Sequence, residues 1–220
     1  RVATYLVNTL RAGARMTPYS MVSAAGAPYT PADLREDEVV INDWLATDLG
    51  IWPGASLEMS HYEADSAARL VERTNVFKVR GVVPMRGAWA DRSLMPEFPG
   101  LAKAESTHDW DAGFELVHKV RDKDEAYWKQ WRGTPKAWIH PEAGRRMWAN
   151  RFGSWTAIRW MVPAGADAGA LRKEVEEKVR AGIQPFDVGL ALRPLRDEAL
   201  RGASTGTAQM FVGLFVGFSL

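Results

Sequence analysis

A mixed α+β fold is what this sequence predicts, and three observations predict it. Short β-branched and aromatic segments, separated by Gly and Pro turns, fill the stretch up to about residue 85. Strand-like and helix-like segments alternate from Lys136 onward. Of the 220 residues 46% are hydrophobic and 25% charged, the balance of a chain that folds rather than one that stays disordered. The length suits one large domain or two small lobes and is enough to bury roughly 70% of the unfolded surface.

"VATYLVNTL" and "PYSMVSA" predict two strands leading to the turn "GAPYTPADL". "EVVIN" predicts a third. In "DWLATDLG" helical spacing groups Trp44, Leu45, Asp48 and Leu49 before Gly50 stops the helix. Pro53 and Gly54 then turn the chain into a strand on which Leu57, Met59 and His61 share a face. In "NVFKVRGVVPM", Val76, Lys78 and Arg80 alternate with Phe77, Val79 and Gly81, the pattern of a half-buried strand.

Regularity is lost from Arg86 to Asp111, which predicts a long ordered loop or a lid. "RDKDEAYWKQW" restarts a helix with acids in its first turn and Tyr127, Trp128 and Trp131 on one side, and "GTP" ends it. "KAWIH" predicts a strand, "PEAGRRMWANRFG" a helix opened by its Pro, "WTAIRWMVP" a strand and "DAGALRKEVEEKVRAGI" a helix. In the last of these Leu171, Val175, Val179 and Ile183 fall four apart, so one face is expected to lie on a sheet; opposite charges pair at i,i+4 elsewhere. "FDVGLALRPL" predicts a further strand.

The formal net charge of +1 gives no field to gather nucleic acid, and no cysteine is present for disulfides or thiolate ligands. Neither a phosphate loop nor GxSxG, HExxH, GxGxxG or an EF-hand pattern occurs, so no catalytic site, metal site or cofactor is expected. His61, His108, His118 and His140 are scattered, and surface or hydrogen-bonded histidines account for them. "THDWD" is the nearest approach to an acid–base cluster; a loop or helix cap accounts for it equally. Of ten tryptophans most sit in apolar-periodic segments and suit a core. Trp89 and Trp110 lie in the irregular segment and are the candidates for a partner or ligand contact surface.

"LREDEVVINDWLATDLGIWPGASLEMSHYE" resembles a segment of FtsX-like and MacB-like permease subunits of ABC transporters, through Val39 to Asn42, Leu45, Leu49, Gly50, Gly54 and Leu57. "FKVRGVVP", "KVRDKDEAYWKQWRGTPKAWI", "RFGSWTAIRW" and "GTAQMFVGLFVGFSL" extend the resemblance over most of the chain. It implies a periplasmic domain of an inner-membrane protein, held between two transmembrane helices. The implied architecture is a ferredoxin-like Porter-type lobe, residues 1–30 and 134–207, with an inserted β-rich Sabre-type lobe, residues 31–133. The implied partners are an ABC ATPase subunit, a periplasmic adaptor or a protein or lipid cargo, and a second permease copy. ATPase activity would belong to the separate subunit, so this chain is expected not to be an enzyme.

The start at Arg1 without methionine or signal segment points to a processed or excised piece. The run at 208–220 is expected to begin a transmembrane helix that the sequence cuts short, since Met210 to Leu220 is about half of the roughly 20 residues a span needs. The competing expectation is a stand-alone secreted binding module or hydrolase with a Trp-rich ligand surface around "THDWD".

Overall fold

The computed structural model describes residues 1–64, 69–151, 153–160 and 162–184, together with 186, 195–197 and 199–201. It is mixed α+β and divides into two compact units, Arg1–Trp160 and Met161–Leu220.

The first unit is built on six strands: β1 (Val2–Ala12), β2 (Arg15–Ala25), β3 (Glu38–Asn42), β4 (Ser56–Ala64), β5 (Leu70–Val83) and β6 (Ala137–Ile139). They close a barrel in the order β1-β2-β6-β3-β5-β4, shut by pairing of Thr9–Arg11 with Glu58–Ser60. β2 with β6 and β3 with β5 run parallel, and the other neighbours are antiparallel. Closure gives every strand two neighbours in the sheet. Strands from 1–30, 31–133 and 134 onward all contribute to this one barrel.

Two short helices feed the barrel interior. Helix α1 (Asp43–Leu49) is capped by the Asn42 side chain, which accepts from Leu45 N at 2.7 Å, and ends at Gly50 in the left-handed conformation (φ 65°) that glycine adopts without strain. Helix α3 (Pro141–Trp148) begins at a Pro, whose missing N–H costs nothing in a first turn. Leu45, Ala46 and Leu49 of α1 and Ala143 and Trp148 of α3 join Val7, Leu10, Val22, Val39, Ile41, Leu57, Met59 and Phe77 in the interior core.

β1 and β2 change faces part-way along. Ala3, Tyr5 and Val7 face the interior core, but beyond Asn8 it is Leu10 and Ala12 that do. Opposite the step Tyr19 has φ 37°, a conformation that a bulky residue holds only when its surroundings fix it, and it packs with Leu6, Met21 and Leu101 in an outer cluster.

The stretch from Pro84 to Arg121 carries only three short 3-10 turns, as its loss of periodicity predicts. It is ordered by burial: Leu94 and Leu101 are fully buried. Helix α2 (Asp122–Trp131) follows, with Tyr127 and Trp128 buried.

Three expectations are corrected. Among the described residues of 155–163 there is no strand: Ala157 alone bridges to Val2, and Ile158, Trp160 and Val162 are exposed, so the apolar alternation there finds no sheet. Helix α3 stops at Trp148 and the chain then turns back through a bridge between Asn150 and Gly153. In the second unit helix α4 (Ala168–Gly182), capped by Asp167, has no buried residue, so its apolar stripe is not buried against a sheet; Val179 and the following Ile183 are exposed. The predicted strand at "FDVGLALRPL", apart from its end residues Phe186 and Leu195, and the run at 208–220 lie outside the described residues. No helix among the described residues is long and apolar enough to cross a membrane.

Candidate functional site

The largest gathering of charge in the interior is at the end of α1. Apolar spacing on α1 puts Asp48 on the inward side, beside Leu45 and Leu49, where its side chain is 3% exposed. It accepts from Thr17 Oγ1 of β2 at 2.5 Å and from Arg121 Nη2 at 2.7 Å, and pairs with Lys123. Arg121 precedes α2 and grips Asp124 of its first turn, Nε to Oδ2 at 2.6 Å and Nη2 to Oδ1 at 2.8 Å, while Nη1 donates to Met16 O at 2.8 Å. Lys136, at the head of β6, places Nζ 3.6 Å from Asp124 Oδ1 and over the rings of Trp44 and Tyr127, 4.2 and 4.6 Å from their centroids.

Two buried carboxylates thus face one buried ammonium and one half-buried guanidinium, which is how charges are tolerated in a low-dielectric interior. Burial pushes the Lys136 amine down to about 8, against the pull of Asp124. Burial works to raise the Asp48 carboxyl too, but its Lys123, Thr17 and Arg121 donors outweigh it and hold the group low. Burial likewise pushes the Tyr127 hydroxyl up; it donates to Thr134 O at 3.0 Å and accepts from Asn42 Nδ2 at 3.1 Å.

A cavity of about 20 Å³ adjoins this cluster, lined among others by Tyr19, Trp110, Asp124, Trp128 and Lys136. It has room for one water. Chemically the arrangement is a lock: it ties α1, β2, α2 and β6 by ionic and cation–π contacts and encloses the Lys136 amine.

A second polar cluster lies where α3 meets β1 and β4. His61 is fully buried, Nε2 3.2 Å from Glu63 Oε1, and stands edge-on to Tyr5 and Trp148, which stack on each other at 5.2 Å. Burial lowers the His61 imidazole's pKa against the attraction of Glu63 and Glu72. Here His61 Nδ1, Trp148 Nε1 and the nearby Asn8 Oδ1 have no protein partner.

The structure places the sequence-predicted contact residues in separate clusters and does not bring them together. Trp89 is half-buried against Tyr29, Leu94 and Trp138, its Nε1 donating to Tyr29 O at 3.0 Å. Trp110 is half-buried edge-on to Trp128 at 4.8 Å, its Nε1 inside and unpartnered. Around it "THDWD" forms caps: Ser106 caps the turn at His108, and Thr107 donates to Glu125 from Oγ1 at 2.5 Å and from N at 2.8 Å. Burial would raise Glu125, but these donors hold its carboxyl at about 2. Among the described residues no group of three or more His, Asp or Glu side chains is placed to hold a metal ion.

Asp48, Asp124 and Lys136 were missed as a set by sequence reasoning. The available signal was a carboxylate on the apolar face of α1. No protein-family model matches the chain, and no curated protein matches it.

Proposed function

We propose that this chain is the extracytoplasmic domain of an ABC transporter permease subunit of the FtsX-like type, coupling ATP hydrolysis by a separate subunit to rearrangement and to cargo or partner contact outside the membrane. The observation that carries the reading is the pairing of Val2 with residues 156–157: Val2 N donates to Ala157 O at 2.9 Å, and both Thr156 N and Ala157 N donate to Val2 O. The two ends of the first unit therefore lie side by side, which suits a domain hung between two neighbouring membrane helices. Further support comes from the stretch that carries the resemblance, which folds as strand, short helix ended at Leu-Gly, Gly turn and strand, the order the family pattern implies. On this reading residues 208–220 lead into a membrane span.

The absence of cysteine makes the test direct. Lys103→Cys in the exposed part of the long loop, introduced into the full-length protein in intact cells, should react with a membrane-impermeant maleimide. The full-length protein should also co-purify with an ATPase carrying a phosphate loop. Labelling only after lysis, or a gene in which the apolar run at 208–220 does not continue to the roughly 20 residues of a span, would overturn the reading.

A further inference from the structure

The barrel wall has an opening along one half of β5. β3 pairs along Lys78–Val83 and overlaps β4 at Lys78 alone, whereas Leu70–Phe77 has β4 on one side and, among the described residues, no strand on the other. The N–H of Lys78 points away from β4 and donates to Asp37 O at 2.8 Å. In antiparallel pairing such outward groups recur at every second residue, so Val76, Thr74 and Glu72 offer their N–H and C=O to the same open side. A groove of about 480 Å³ runs beside them, walled by Phe77, Ala143 and Met147 and rimmed by Arg73, Arg146 and Glu36. It passes Val76, which is 60% exposed, into a shallower hollow of about 300 Å³ beside Gly54–Ser56.

We propose that this edge binds an extended segment of another protein, which adds a strand to the barrel in line with β3. Three features choose that occupant. The unpaired ladder groups recognise an extended backbone and nothing else in particular. The groove continues an edge that β3 already occupies, so Asp37 sets where the incoming strand stops. The wall is apolar and the rim charged, which selects alternating apolar and polar side chains. Arg146 is already paired with Glu36, but Arg73 is 62% exposed with only a 3.8 Å contact to Glu63, and it suits a carboxylate on the partner.

Phage-displayed random peptides selected on the full chain test this. The selected peptides should alternate apolar and polar residues with an acidic position, and should slow amide hydrogen exchange at Thr74 and Val76. N-methylation at the ladder positions of a selected peptide should weaken binding by about tenfold or more while methylation at intervening positions leaves it intact, the mark of main-chain pairing. Val76→Pro, which removes only an outward N–H, should abolish binding with the circular dichroism spectrum unchanged; should it unfold the chain, Val76→Lys blunts the same edge without altering the backbone. Binding insensitive to peptide N-methylation, or no selected peptide at all, would overturn the proposal. So would a dimer of the protein alone that Val76→Pro or Val76→Lys dissolves, since it would give the edge to a second copy.

Discussion

The Lys136 and His61 clusters both bury titratable groups in the first unit, and they solve the problem in opposite ways. Around Lys136 nearly every polar atom has a partner, and positive and negative charges alternate through Asp48, Arg121, Asp124 and the amine. Around His61 the ring itself has one hydrogen-bond contact, to Glu63, and three polar atoms in the neighbourhood have none. A satisfied network stabilises because removing any member strands the rest; an unsatisfied one is tolerated only while its groups stay neutral. The first cluster therefore holds elements together, and the second responds to conditions.

The largest effect should come from breaking the satisfied network. Asp124→Ala leaves Lys136 buried without its carboxylate, and should cost about 3–5 kcal/mol in urea unfolding at neutral pH. The amine supplies a signature for the cause. Its folded pKa of about 8 lies below the unfolded 10.5, so the unfolded chain binds the extra proton between those values and stability rises with pH across that window. Asp124→Ala removes the group that supports the charged form, so the rise should begin at lower pH than in the wild type. A loss of stability with no pH signature would show that packing, not charge, sets the cost.

The unsatisfied cluster should report acid. The folded pKa of His61 is depressed below 6.5, so as pH falls through 6.5 the unfolded state takes up the proton first and stability drops. This contribution should be lost as pH falls from 7 to 5, and His61→Gln should remove the pH dependence from a thermal-melt series. The carboxylates facing the ring, Glu63 and Glu72, oppose the shift, so Glu63→Gln should steepen the loss.

A smaller effect separates stacking from hydrogen bonding in that cluster. Trp148→Phe keeps a ring against Tyr5 but deletes the unpartnered Nε1–H, and the gain from removing an unsatisfied donor should bring the net change within about 1 kcal/mol. A loss near 3 kcal/mol would mean that a bound water satisfies Nε1. Smallest of all, Glu174→Ala on α4 should leave the thermal melt nearly unchanged, because its partner Lys178 is exposed and the pair is screened by water.

Most strands and the three helices α1 to α3 of the first three-quarters of the chain were legible because each rests on a local period: Leu57, Met59 and His61 alternate inward, and Asn42 and Gly50 bracket α1. Barrel closure was not legible, since the parallel pairing of β2 with β6 joins residues over a hundred positions apart and no local pattern encodes it. "WTAIRWMVP" shows the limit from the other side. It alternates like a strand, yet a strand exists only where a neighbour supplies hydrogen bonds, and Ala157 alone finds one. The stripe on α4 fails alike: Leu171 to Ile183 has the spacing of a buried face and no buried residue. The Lys136 cluster was illegible because its members are ordinary surface residue types until packing brings them inside.

The change of face at Asn8 and Tyr19 has an evolutionary corollary. A single hairpin supplies side chains to the interior core before the step and to the same core with the opposite parity after it. Deleting or inserting one residue on either side of the step would reverse the parity of only that half, and would exchange a row of inward side chains for an outward one. Sequence drift in this hairpin is therefore confined to substitution, and its length should stay fixed while the long loop between β5 and α2 is free to grow and shrink.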